Sequence, residues 1–196
     1  MGGFDGHLIL EKLFKYSKHK FKINVLASSF SDIISFRIKN VVFKDSLRFL
    51  NASLSKLTEN LHLKNGTISS KFPSLCHYFS KTYKKIISAE LFNKIAKKQW
   101  FPYSMVQSFE VLENLLPIDK EWFVNELYDE RISDDEYKDL QELWTIFSLK
   151  TIGQFFDFYL TIDVLLLADV FTHYRQFSLK NYGIEPCTTF GAPGLR

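Results

Sequence analysis

Cysteine is nearly absent. Cys76 and Cys187 are the two in 196 residues, and neither stands in a CxxC pair. That argues against a disulfide scaffold and a cysteine zinc site, and it fits a reducing compartment. Long apolar runs are absent too, since nothing approaches the ~20 residues that span a bilayer. The opening MGGFDGHLIL has no basic n-region and no long apolar h-region, so no secretory signal is expected. Gly6 stands where a myristoylation signal would want Ser or Thr. The chain is therefore read as intracellular and away from membranes. Without a secretory route, the tripeptides NAS (51–53) and NGT (65–67) read as chance matches to glycosylation acceptors. There is no GxxxxGK[ST] or GxGxxG phosphate loop, no HExxH and no GxSxG. His7 and the other histidines lack partners at ligand spacing and read as packing or surface groups. Internal repeats and low-complexity segments are missing as well.

What is present is a core-building composition. Hydrophobic residues make up 46%, with 20 Phe and 9 Tyr. This length holds one domain with a sizeable core, and this composition does not suit a disordered chain. Charge is divided unevenly. Residues 1–100 carry 18 Lys/Arg against 6 Asp/Glu, a net of +12, and residues 101–196 carry 7 against 16, a net of −9. A basic half of this kind is either a surface for a polyanion such as nucleic acid or a solvated lysine-rich face.

Periodicity divides the chain into elements. Residues 4–18 have apolar positions at helical spacing, with a start near Asp5. Residues 22–29, 33–39 and 41–43 are β-branched and aromatic with short breaks, the pattern of a strand meander. A helix is expected over 45–61, N-capped by Asp45 or Ser46, and ended by the turn signal in KNGT (64–67). Residues 68–132 are less regular, apart from a helical pattern over 87–98 that Pro102 breaks. A further helix over 133–147 opens with a capping box, Ser133 and Glu136, and has acids crowding its first turn. The last helix is expected from Thr151 toward Asn181, with Gly183 as its C-cap and Pro186 beyond. The tail CTTFGAPGLR carries no element of its own. Strands followed by helices, with a helix before them, predict an α/β or α+β layer that is helix-rich in its C-terminal half.

The last helix contains FYLTIDVLLLADVF (158–171), an apolar run interrupted by Asp163 and Asp169. Carboxylates are rarely buried unless something pairs with them. Tyr159 and Asp163 are four residues apart, one turn on the same face. Their neighbours Leu160, Leu166, Leu167 and Val170 are apolar, which predicts that Asp163 points toward the interior. A carboxylate there invites a metal ion, a buried donor, or merely a backbone group. Asp169 lies about 120° further round and reads as a solvated or capping acid. Asp5 has the ordinary explanation of a helix N-cap.

Taken in order, four short motifs resemble the 3′–5′ exonuclease domain of protein-primed family B DNA polymerases. GGFDGHLI (2–9) is similar to the second exonuclease motif, DSLRFL (45–50) to the Ser/Thr-Leu-x-x-hydrophobic motif, KQWFPY (98–103) to the Lys-x-x-hydrophobic motif, and YLTID (159–163) to the third exonuclease motif, Tyr-x-x-x-Asp. The resemblance covers nearly the whole chain. It implies a ribonuclease H-like fold, a parent enzyme that synthesises DNA by nucleotidyl transfer from dNTPs and a priming protein, and proofreading at single-stranded 3′ ends with two Mg²⁺ or Mn²⁺ ions. By this resemblance Asp5 and Asp163 ligate metal, Tyr159 orients the attacking water and Lys98 contacts the scissile phosphate. Phe4, Ser46 and Leu47 hold the frayed 3′ end.

The departures shape the expectation. The family's first motif, Asp-x-Glu on a strand, does not stand upstream of Phe4, and the Asn of its second motif is missing. The resemblance places a palm domain after residue 196, outside these residues. The resemblance thus implies a fragment: a partial exonuclease domain over 1–182, then the start of a connection to the palm over 183–196. By itself such a piece is expected to be inactive. Two other classes compete with it, a non-catalytic module that binds single-stranded DNA and a helical interaction protein in which Asp163 is structural.

Overall fold

The computed structural model describes residues 4–17, 22–96, 99–125 and 129–191. It is a mixed α+β chain of antiparallel strands and a majority of helix. Its contacts sort into two compact units, residues 1–53 with 171–196, and residues 54–170.

The first unit opens with α1 (Phe4–Ser17) and a three-stranded antiparallel meander, β1 (Ile23–Ser29), β2 (Asp32–Ile38) and β3 (Val41–Lys44). Leu10 of α1 packs with Ile33 and Phe36 of the central strand, with Ile9, Leu13, Ile23, Ile38 and Phe43 around them. Burial on β2 does not follow strict alternation, since Ile33, Ser35 and Phe36 are all buried, and the β1–β2 register is irregular at Leu26–Ser29. Phe36 lies opposite Phe43 in the register, and the two rings stack at 4.5 Å.

The helix expected over 45–61 is broken in two. The Asp45 carboxylate accepts from the Leu47 amide at 3.0 Å and starts a 3₁₀ turn, Ser46–Arg48. Phe49 is then drawn into packing against Phe171 and Tyr174, with ring centroids at 5.7 and 6.5 Å. Asn51 and Ser53 favour turns over helix, and α2 (Leu54–His62) begins afterwards. The tail also differs from expectation, because Pro186–Thr188 form a 3₁₀ turn. Glu185 accepts from the Cys187 amide at 3.1 Å and from Arg175 at 2.8 and 2.7 Å. Lys44 donates to the Cys187 and Thr189 carbonyls at 2.5 and 2.6 Å, which fastens this turn to β3.

The second unit starts with α2 and continues through α3 (Ile68–Lys71), α4 (Pro73–Tyr83) and α5 (Ala89–Ile95). The KNGT turn is present, with Gly66 at φ +127°, a conformation L side chains rarely adopt. Of the 87–98 helix, the described part is capped by Ser88, which accepts from Leu91 at 3.2 Å. A short hairpin, β4 (Val124–Asn125) and β5 (Glu130–Arg131), precedes α6 (Asp134–Ile146). The Ser133–Glu136 capping box forms as expected. Finally α7 (Ile152–Tyr182) gives its residues up to Val170 to this unit; the rest belongs to the first and ends at Gly183, φ +67°, the left-handed C-cap predicted for it. The core of the second unit is aromatic. Phe79 is fully buried and meets Tyr83, Phe147 and Phe158 with centroids at 5.5, 5.0 and 5.8 Å.

Candidate functional site

The buried stripe of α7 in the second unit runs through Ile152, Phe155, Phe158, Ile162, Leu166, Asp169 and Val170. Its axis falls at 155, 162 and 169, because seven residues nearly complete two turns. Asp163 lies one residue, and so about 100°, past Ile162. It sits on the shoulder of the stripe and is half-buried, as is Tyr159 one turn earlier. Leu160, counted among its interior neighbours from the sequence, is exposed.

The reading of Asp169 as a solvated or capping acid is corrected in its first half. Asp169 is 1% exposed, on the axis of the stripe. It is a cap, but for another helix. Its two carboxylate oxygens accept from the Ser74 and Leu75 amides, each at 3.0 Å. The N-cap residue of α4, Phe72, has no side chain able to do this, and Pro73 has no amide hydrogen. The first two free N–H groups of α4 thus bond a carboxylate 95 and 94 residues away.

Asp163 belongs to a polar ladder that reaches outward from α7. The Tyr103 hydroxyl donates to the Tyr159 oxygen at 2.9 Å. The Asp163 carboxylate lies one turn further on the same helix, close enough to act electrostatically on the Tyr159 phenol. Phe101 locks the arrangement: it is 4% exposed, stacks on Tyr159 at 5.6 Å and 26°, and touches Phe155 and Phe156 at 5.5 and 5.2 Å. Tyr103 packs edge-on against both Phe101 and Tyr159, at 5.1 and 6.4 Å. Two sequence motifs, KQWFPY and YLTID, are thereby joined side by side. Sequence reasoning assigned no role to Phe101 or Tyr103. Both stand inside a quoted motif, but the segment is irregular and has no periodicity to say which ring faces inward.

Burial sets the titration of this pair. It pushes the Tyr159 phenol well above its ordinary value, and the Asp163 charge pushes the same way. Burial also raises Asp163 above the usual aspartate range, against the opposing pull of the neighbouring Tyr159 hydroxyl. Tyr159 therefore stays a neutral hydroxyl, able to donate and to orient a neighbour but not to act as a base.

The sign for stability follows directly. Asp163 holds its proton more tightly folded than unfolded, so stability falls as pH rises through the ordinary aspartate range toward the raised value, and the cost persists above it. Asp163→Asn removes that cost. Its melting temperature should exceed the parent's at neutral pH, with the difference vanishing below about pH 4. Thermal melts at stepped pH check this; a difference independent of pH would count against it.

The remaining expected site residues are placed separately. Ser46 is half-buried and Leu47 exposed on the 3₁₀ turn that Asp45 starts in the first unit. Phe4 and Asp5 open α1, but their side chains lie outside the described residues, as does Lys98. Among the described residues no three His, Cys, Asp or Glu side chains converge. Asp163 is a single carboxylate, so the described residues do not form a metal centre by themselves. Also among the described residues, no helix is long and apolar enough to cross a membrane.

Comparison of this chain with protein-family models, with the curated proteins and with the solved structures finds no match in any of the three.

Proposed function

We propose that this chain is a segment of a protein-primed family B DNA polymerase, drawn from a ribonuclease H-like 3′–5′ exonuclease region that receives single-stranded 3′ ends. One observation supports this reading above the others: the Tyr103–Tyr159–Asp163 ladder. Two motifs that the resemblance selected independently, 56 residues apart between Tyr103 and Tyr159, meet at one half-buried acid and one neutral phenol. A buried phenol that holds its proton suits the orienting role the resemblance gives Tyr159. The basic first hundred residues suit a polyanionic strand.

Under this proposal Asp5 and Asp163 each ligate a divalent ion, Mg²⁺ or Mn²⁺, Lys98 meets the scissile phosphate, and Phe4, Ser46 and Leu47 meet the 3′-terminal nucleotides. The ions would supply Lewis-acid activation of the phosphodiester. Among the described residues, no group of three such ligands is present for these ions. What the chain's own groups do is narrower. Tyr159 keeps its hydroxyl proton and accepts from Tyr103, and Phe101 holds the phenol ring in place. The dNTPs and priming protein belong to the activity of the whole polymerase.

The test uses the 196-residue chain with a labelled single strand, linear or circular, in Mn²⁺. The linear strand should bind more tightly than the circular one, because only it presents a 3′ end. Affinity should fall steeply and log-linearly with salt. No nucleotides should be released, since these residues supply two of the family's four carboxylates. Equal binding of linear and circular strands would leave the non-catalytic single-strand module in its place. A chain that fails to bind DNA at low salt, with a melting temperature unmoved by Mn²⁺, would instead be a helical interaction protein. Nucleotide release that disappears in Asp163→Ala would overturn the inactivity of the isolated chain.

A further inference from the structure

We propose that the turn between α2 and α3, in the second unit, is a site of spontaneous modification at which Asn65 loses its amide and becomes isoaspartate. The reaction needs an asparagine side chain, a following backbone nitrogen that can reach it, little bulk on that next residue, and water. Asn65 is the one asparagine followed by glycine; the others precede Val, Ala, Leu, Lys, Glu or Tyr. A β-carbon crowds the approaching nitrogen, and Gly66 has none.

The fold leaves this pair open. Asn65 and Gly66 are both exposed, past the end of α2 and before the start of α3. Among the described residues, neither the Asn65 side chain nor the Gly66 N–H makes a hydrogen bond. Asn24 and Asn125 are instead held in strands, and Asn60, Asn93 and Asn181 in helices. In the first step the Gly66 nitrogen attacks the side-chain carbonyl carbon of Asn65. A C–N bond closes a five-membered imide, and the amide nitrogen leaves as ammonia with the Gly66 proton. Water then opens the ring. Opening at the main-chain carbonyl leaves the chain running through the side-chain carbon, as isoaspartate; opening at the other carbonyl leaves aspartate. Asparagine and water go in, a carboxylate and ammonia come out, and nothing is oxidised.

The surroundings give the modification a consequence. Isoaspartate adds one carbon to the main chain between residues 65 and 66, and contacts on both sides bracket that bond. Lys71 is 6% exposed, and its ammonium donates to the His62 and Lys64 carbonyls at 2.5 and 2.9 Å. Thr67 Oγ1 accepts from the Ser70 amide at 3.2 Å and opens α3. Even a β-carbon on Gly66 would stand 2.9 Å from Ser70 Oγ. A longer main chain shifts the Lys64 carbonyl relative to α3, which leaves a buried ammonium short of an acceptor. Plain aspartate keeps the main chain as it is and adds a charge at an exposed position.

This inference rests on the turn alone and is independent of the polymerase reading, so either can fail without the other. The experiment ages the intact chain at body temperature and mildly alkaline pH, folded and in urea. Peptide mapping by mass spectrometry follows every asparagine, and an isoaspartyl methyltransferase with labelled methyl donor reports isoaspartate. Asn65 should lose its amide first, nearly as fast folded as in urea, and the methyl label should be confined to the peptide holding residues 65 and 66. Asn65→Gln should take no label, because its ring closure needs a six-membered imide. The aged parent should melt below the fresh one, whereas fresh Asn65→Asp should melt with the fresh parent. An Asn65 that reacts in urea but stays intact when folded would overturn the proposal, since the turn would then be protecting it. So would an earlier loss at any other asparagine of the folded chain. An aged chain rich in isoaspartate that melts with the parent would overturn the consequence drawn through Lys71. Should Asn65→Gln fold poorly, peptide mapping of the parent, folded against urea, decides alone.

Discussion

Asp169→Ala should destabilise the second unit by about 3–4 kcal/mol, measured as a fall in the urea midpoint followed by the fluorescence of buried Trp144. The size comes from what truncation leaves behind. Hydrogen bonds to charged groups contribute about 1.5–3 kcal/mol each, and Asp169 makes two, at 3.0 Å, from a position 1% exposed to solvent. Removing it opens a small cavity and orphans the Ser74 and Leu75 amides. Leu75 is fully buried, so water cannot replace its lost partner without entering the core. Nothing local can substitute, because Phe72 has no capping group and Pro73 no N–H. Asp169→Asn retains one acceptor oxygen and should lose roughly half as much. An Asp169→Ala chain within about 1 kcal/mol of the parent would mean that α4 closes its own N-terminus, contrary to the geometry described.

The same residue shows where a sequence is readable and where it is not. Local signals carried well: the Ser133 capping box, the Gly183 C-cap, the three-strand meander and the ends of α7 follow from residues within a few positions of each other. The Asp169 cap spans 95 residues, and no local pattern encodes a donor that distant. A helical wheel gave Asp169 the right angle relative to Asp163 but the wrong interior, because the apolar residues of α7 surround most of the helix and leave the stripe's centre undetermined. The broken helix at 45–61 failed for a related reason. Its spacing is helical, but Phe49 gains more from the rings of Phe171 and Tyr174 than from continuing the helix. Of the candidate site, the Tyr159–Asp163 pair was legible because both members ride one helix face. Phe101 and Tyr103 were not, since they reach that face from an irregular segment whose placement depends on tertiary packing.

That irregular segment supplies the other large effect. Phe101→Ala should cost about 3–4 kcal/mol, the range for emptying a buried phenylalanine position. Phe101 is 4% exposed and makes ring contacts with Tyr103, Phe155, Phe156 and Tyr159. Phe101→Leu refills much of the volume and should cost less than half as much. Lost stability alone would say only that a core residue was removed. The distinguishing consequence lies at Asp163, whose raised titration comes chiefly from burial. Without the Phe101 ring, water reaches Tyr159 and the carboxylate behind it, and the penalty on the charged form shrinks. The pH-dependent gain from Asp163→Asn should therefore be smaller in the Phe101→Ala background than in the parent, a coupling that a double-mutant cycle at neutral and acidic pH reads directly. If the two substitutions are additive at every pH, Phe101 packs the core without shielding the acid, and the ladder owes its low polarity to α7 alone. If they couple at neutral pH and become additive in acid, the 98–103 segment sets the electrostatics of Asp163.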